Sequence, residues 1–94
     1  MSGWTWDPAK DARNRVRHRL PLAAGMLVLH GDTHALSRPD PHPDGDRWQT
    51  VGSAGGVVLL FVVHTEPTDE RQGRIISVRK ATAQERKAYE EGEF

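Results

Sequence analysis

The chain has 94 residues, with 13 Lys and Arg offset by 13 Asp and Glu, five His and no Cys. That length fits one domain, residues 1–94, built on a single core; the absence of cysteine excludes a disulfide scaffold and a thiolate metal site, and fits a reducing cytoplasm. The longest apolar run, Val57 to Val63, is far short of the roughly 20 residues of a membrane span. The opening MSGWTWDPAK lacks the basic region and apolar stretch of a signal peptide, so a cytoplasmic protein without membrane contact is expected.

Trp4-Thr5-Trp6 is too short to assign as a strand from pattern. Asp7-Pro8 starts a helix, with Asp as N-cap and Pro at the first helical position, and nothing breaks it before Arg17 or His18. Its thin apolar content (Ala9, Ala12, Val16) predicts a surface helix with a narrow buried stripe, while Lys10, Asn14, Arg17 and His18 share one polar face. Pro21 opens a second helical segment over Leu22–Leu29, which Gly31-Asp32 ends. His34–Arg38 is an edge-strand candidate, stopped by the exposed loop PDPHPDGD.

The second half has the sharper pattern. Arg47–Val51 is expected to be a strand, Gly52–Gly56 a hairpin connection, and Val57–His64 a central, covered strand. After a polar loop, Arg74–Lys80 is another strand. Thr82-Ala-Gln-Glu85 is a capping box that opens a last helix, to about Glu91. Helices followed by three or four consecutive antiparallel strands and a C-terminal helix make the class α+β.

Net charge is zero, yet cations crowd two segments: Lys10 to Arg19, and Arg71 to Lys80. Two basic patches suit a polyanion groove, an acidic partner, or ordinary solvated faces. Regular alternation puts Ile76 and Val78 on the core face of their strand with Arg74 and Lys80, and leaves Arg79 beside Ser77 on the open face; a bulge would change that. His64 ends the apolar strand as a candidate proton-transfer group, or as a structural hydrogen-bonding residue. His30 and His34 flank Asp32 but lack a helix to hold a metal between them, so no metal site and no cofactor are expected. Arginines with a histidine and a tyrosine suit metal-free RNA cleavage, in which a 2′-hydroxyl attacks the neighbouring phosphate and planar cations hold the added charge.

Taken together, several stretches resemble the BrnT toxin family: Trp6-Asp7-Pro-Ala-Lys10 with Asn14 and Arg17-His18, Arg47–Gly52, Leu60–Glu66, and Arg74–Ala81 with Glu85-Arg86 and Tyr89. The likeness runs from Trp6 to about Glu91. Departures lie in the first third: Arg17 for Lys, Arg19 for Gly, and Leu22-Ala-Ala-Gly25 for Phe-Glu-Glu-Ala. The resemblance implies a RelE-like fold and a type II toxin that cleaves mRNA, at the ribosome or free, and so inhibits translation. It also implies a BrnA-like ribbon-helix-helix antitoxin, with DNA contacted only through that partner. The catalytic roles expected on this basis are Arg74 and Arg79 for phosphate stabilisation, His64 for proton transfer and Tyr89 for positioning. Lys10, Asn14, His18, Arg47 and Lys80 are the expected RNA contacts, with structural hydrogen bonding to the sheet an equal alternative for Lys10, Asn14 and His18. A non-catalytic module that binds RNA or antitoxin and serves operon autoregulation is the competing expectation.

Overall fold

The computed structural model describes residues 3–94. In chain order the elements are β1 (Trp4–Thr5), α1 (Pro8–His18), a 3-10 turn (Leu22–Ala24) running into α2 (Gly25–Gly31), β2 (Leu36–Pro39), β3 (Arg47–Ala54), β4 (Val58–Thr65), β5 (Gly73–Lys80) and α3 (Ala83–Glu91). The strands form one five-stranded sheet in the order β1-β5-β4-β3-β2. The four longer strands make the expected antiparallel meander, and β1 adds a short parallel pair with β5, so the sheet is mixed.

Local chemistry sets most of the boundaries. Asp7 accepts from the Ala9 amide and Pro8 takes the first helical position of α1. Thr82 and Glu85 complete the capping box of α3, which Gly92 ends at φ 72°. The β3–β4 hairpin turns at Gly55 and Gly56, both at positive φ, so β3 continues through Gly52 to Ala54, beyond the expected stop at Val51.

One face of the sheet carries the core. Leu22 and Val28 from the first helical layer pack on Ala54, Leu60, Val62, Ile75 and Val78. Gly52 makes the approach of α2 possible, since a Cβ there would lie 2.7 Å from Val28 Cγ1 and 2.9 Å from Ala35 Cβ. The opposite face is partly covered by α3 and the residues after it. There Val51 is fully buried, and Phe61 nearly so.

Two expectations are corrected. The first concerns β5, whose pairing with β4 shifts register between Val63 and His64: Val63 opposes Ser77, whereas His64 opposes Ile75. Ile76 is the extra residue of a bulge, so Ile75 and Val78 both face the core. Arg74, Ser77 and Arg79 consequently share the other face, where strict alternation separates the two arginines. The second concerns α1, which has no buried apolar stripe. Val16 is 85% exposed and Asn14 is the helix's only buried residue. Polar ties hold this helix down instead: Asp11 accepts from the Leu22 amide at 2.8 Å, and Asn14 bonds to β5.

Candidate functional site

Strand register assembles a basic surface on the face opposite the α1/α2 layer. Three rows run across it. Arg47 of β3 opposes Thr65 of β4, whose hydroxyl accepts from the Arg74 amide of β5 at 2.9 Å. The next row is Arg38, Gln49, Val63 and Ser77, and the third is Leu36, Val51, Phe61 and Arg79. Neighbouring strands lie about 4.8 Å apart, so Arg47 and Arg74 stand about 10 Å apart at the backbone, on either side of Thr65. Arg38 and Arg79 bracket the far end. Four long cationic side chains therefore surround a small polar and apolar floor of Gln49, Val63 and Ser77.

The guanidiniums are held to different degrees. Arg79 donates from Nη1 and Nη2 to the two Glu85 oxygens at 2.8 and 2.9 Å, and its Cζ lies 4.0 Å from the Phe61 ring centroid. Hydrogen bonding from Arg79 is the main reason the Glu85 carboxyl lies below its usual range. This forked geometry is the one by which arginine takes a phosphate, with Glu85 occupying the two oxygen positions. Arg38 donates to Gln49 Oε1 at 2.7 Å, and Gln49 in turn donates to Asp40 Oδ2 at 2.8 Å. Arg47 Nε is buried without a hydrogen-bond partner among the described residues. Arg74 is exposed.

Arg74, Arg79 and Arg47 are thus brought together as expected site residues, and the register adds Arg38. Sequence reasoning passed over Arg38 because β2 was an uncertain edge strand. Its placement opposite Gln49 is a fact of pairing.

His64 lies on the other side of the sheet. It is 1% exposed, its Nε2 is 2.6 Å from Thr50 Oγ1, its Nδ1 is 3.1 Å from the Thr65 carbonyl oxygen, and Trp4 packs on it edge to face. A carbonyl only accepts, so Nδ1 carries the proton and Nε2 accepts from the Thr50 hydroxyl, which is 2.6 Å from Ser37 Oγ. Burial dominates and lowers the imidazole pKa, against opposing contributions from Thr65 and Glu66. The geometry is that of a neutral structural histidine, separated by the sheet from the arginines.

Tyr89 is also engaged elsewhere. Its hydroxyl donates to Asp32 Oδ2 at 2.7 Å, and this bond is the chief reason its pKa is raised. Asp32 sits at the end of α2 and also accepts from the Ser53 and His34 amides, fastening α2, β3 and α3 together. Lys80 ends β5 opposite Leu60, on the helix-covered side by parity, and is exposed.

A second basic surface lies between α1 and the β5 edge, where Lys10, Arg13, Arg17 and His18 line an open groove with Val16, Ile76 and Ser77. Asn14 forms its base. The Asn14 amide donates to Val78 O and Leu20 O, both at 2.8 Å, and accepts from Val78 N at 3.2 Å. It therefore satisfies the β5 edge as a neighbouring strand would, and all of its described bonds go to backbone. Among the described residues no three His, Cys, Asp or Glu side chains cluster in a way that would hold a metal ion, and no helix is long and apolar enough to cross a membrane.

Comparison with known proteins bears on this arrangement. The structure is similar to the 1.1 Å crystal structure of the Brucella abortus ribonuclease toxin BrnT, with a TM-score of 0.71 and 24% identity over 87% of this chain and 99% of that one. At that identity the likeness concerns the fold. No curated protein matches the sequence. A family model described as the ribonuclease toxin BrnT of type II toxin–antitoxin systems matches residues 6–85, from β1's flank through the start of α3. With most of its length matched, this chain belongs to the BrnT family of ribonuclease toxins.

Proposed function

We propose that this protein is an endoribonuclease that cleaves mRNA without a metal ion, inhibits translation, and is neutralised in the cytoplasm by a BrnA-like ribbon-helix-helix antitoxin. The observation that carries the reading is the convergence of Arg38, Arg47, Arg74 and Arg79 on one face of the sheet. In the proposed reaction the 2′-hydroxyl gives its proton to water as its oxygen attacks the adjacent phosphorus, and the bond to the 5′-oxygen breaks as that oxygen takes a proton from water, leaving a 2′,3′-cyclic phosphate and a 5′-hydroxyl. The phosphorane gains negative charge on its equatorial oxygens, and planar cations offset that charge. Arg74, exposed beside Thr65, and Arg79 are assigned to these oxygens, with Arg79 exchanging its forked bond to Glu85 for one to the phosphate. Arg47 and Arg38 are assigned to flanking phosphates. His64 is left out of proton transfer because the sheet separates it from this face, and Tyr89 because its hydroxyl serves Asp32.

The α1 groove, lined in part by Lys10 and His18, is assigned to the RNA backbone further along the strand. Contact with operator DNA belongs to the antitoxin and is indirect for this chain.

Incubating purified protein with single-stranded RNA, with and without EDTA, tests the reading. Fragments ending in 2′,3′-cyclic phosphate are expected in both conditions. Arg79→Ala should cut the rate by two to three decades, about 2–4 kcal/mol of transition-state stabilisation, with the fold retained. Folded protein that binds RNA in a salt-dependent way and yields no fragments would replace the enzyme reading with that of a binding module.

A further inference from the structure

The third row of the basic face holds an aromatic ring that neither the family match nor the proposed cleavage uses. Phe94 lies beyond residue 85, where the family match ends. Gly92, at φ 72°, stops α3 and turns the chain back, with its own amide bonded to Tyr89 O and the Glu93 amide to Ala88 O. The Phe94 ring then lies over the sheet, with Arg38 Cζ 4.1 Å from its centroid. On the other side it meets Phe61 edge to face, at 6.2 Å and 78°. Phe61 carries the Arg79 guanidinium on its ring.

We propose that the gap between Arg38 and Phe61 is a nucleobase-stacking subsite, and that Phe94 fills it as a displaceable stand-in until single-stranded RNA enters. The inference rests on the RNA-cleaving reading and adds to it the element that grips a base. Three observations argue for it. The Arg38 guanidinium is fixed in advance by Gln49, itself held by Asp40, so a planar cation stands ready whichever ring lies against it. The third row supplies an apolar floor: Val51, fully buried, stands between Leu36 of β2 and Phe61 of β4. Arg38 of the second row and Arg79 of the third stand on opposite edges of this end of the face, which suits the phosphates that flank one base. Arginine planes and aromatic rings are the surfaces on which proteins stack unpaired bases.

Phe94 is weakly tethered. The Glu93 amide is tied to Ala88 O, but no side-chain hydrogen bond holds Glu93 or Phe94 among the described residues, so the ring itself is kept in place by its contacts with Arg38 and Phe61. The Arg38 cation–π contact and the Phe61 edge-to-face pair together correspond to about 5- to 70-fold, and the cost of ordering the residue that carries the ring, about 5-fold or more, brings the net to a few-fold. A stacked base is worth about 5- to 150-fold in affinity. RNA therefore wins the site, and the ring imposes a modest toll on entry.

The test is equilibrium binding of a 2′-O-methyl single-stranded oligonucleotide, which cannot be cleaved, to the full chain and its variants. A series in which one base at a time is removed locates any stacking contact. Phe94→Ala should bind about 2- to 5-fold tighter than the parent, and Phe94→Leu, which still fills the space against Phe61, by less. Arg38→Ala should weaken binding at least 5-fold, also in the Phe94→Ala background. Removing the base at one position should abolish the gain from Phe94→Ala, while removal elsewhere should leave it. Thermal melts of each variant confirm the fold.

Equal or weaker binding by folded Phe94→Ala and Phe94→Leu overturns the proposal. So does a gain that persists on every abasic oligonucleotide, since the ring would then merely obstruct phosphates. If the parent binds RNA and Arg74→Ala weakens that binding while the Phe94 and Arg38 variants leave it unchanged, the subsite alone fails. If no form of the protein binds RNA, the RNA reading fails first and the subsite goes with it.

Discussion

Asn14 offers the sharpest quantitative test of how α1 is held. Replacing it with Ala removes three hydrogen bonds: those from its amide to Leu20 O and Val78 O, and that from Val78 N to its carbonyl oxygen. The side chain is 6% exposed, so the groups left behind are partly shut off from water. At a net 0.5–1.5 kcal/mol each, the loss is about 1.5–4.5 kcal/mol. The open groove alongside lets solvent reach some of these groups, which places the expected value at about 2–3 kcal/mol. For a domain of this size that lowers Tm by roughly 8–24 °C. Asn14→Asp should cost more near neutral pH. It keeps an acceptor for Val78 N but sets a carboxylate against two carbonyl oxygens, and the deficit should shrink as acid protonates it. Urea and thermal unfolding of the three proteins, followed by circular dichroism, measure both effects. A loss below about 0.5 kcal/mol for Asn14→Ala would refute the claim that this amide fastens α1 to the sheet. If stability stayed intact while RNA affinity fell, Asn14 would be an RNA contact instead.

Other expectations follow from single positions. Arg19 caps α1 at φ 60°, the left-handed region in which a side chain is strained, and Arg19→Gly should stabilise the protein by about 1 kcal/mol in urea unfolding. Gly52→Ala should destabilise by about 1–3 kcal/mol, because the added methyl meets Val28 and Ala35 at under 3 Å; an unchanged midpoint would show that α2 can back away freely. His64 is depressed in the folded protein relative to the unfolded chain, so the unfolded state binds its proton first as pH falls. Its contribution is complete above about pH 6.5 and is lost as pH drops through the lower folded value, by at most about 1.4 kcal/mol per pH unit. Denaturation at stepped pH should show that slope in the parent and lose it in His64→Gln. Histidine resonances titrating at an ordinary pKa for this ring would contradict the burial argument.

Local chemistry made much of the fold legible from sequence. Asp7-Pro8 and Thr82-to-Glu85 start helices because a side-chain acceptor and a preset φ act within one turn, without help from the rest of the chain. The apolar run at 58–64 and the Gly55-Gly56 turn fix a central hairpin for equally local reasons. The cation-rich segments and the family likeness were also visible there. Pairing decided the site. A bulge at Ile76 leaves no mark on composition, yet it moves Arg74 onto the face of Arg79, while unbroken alternation along β4 puts His64 with Leu60 and Val62 on the other side. Arg38 joins the arginines because β2 pairs opposite Gln49, and Phe94 reaches it because Gly92 turns the chain back after α3. Hydrogen-bond register and helix termination depend on partners far along the chain, so the sequence named the chemical groups and the tertiary structure chose which of them meet.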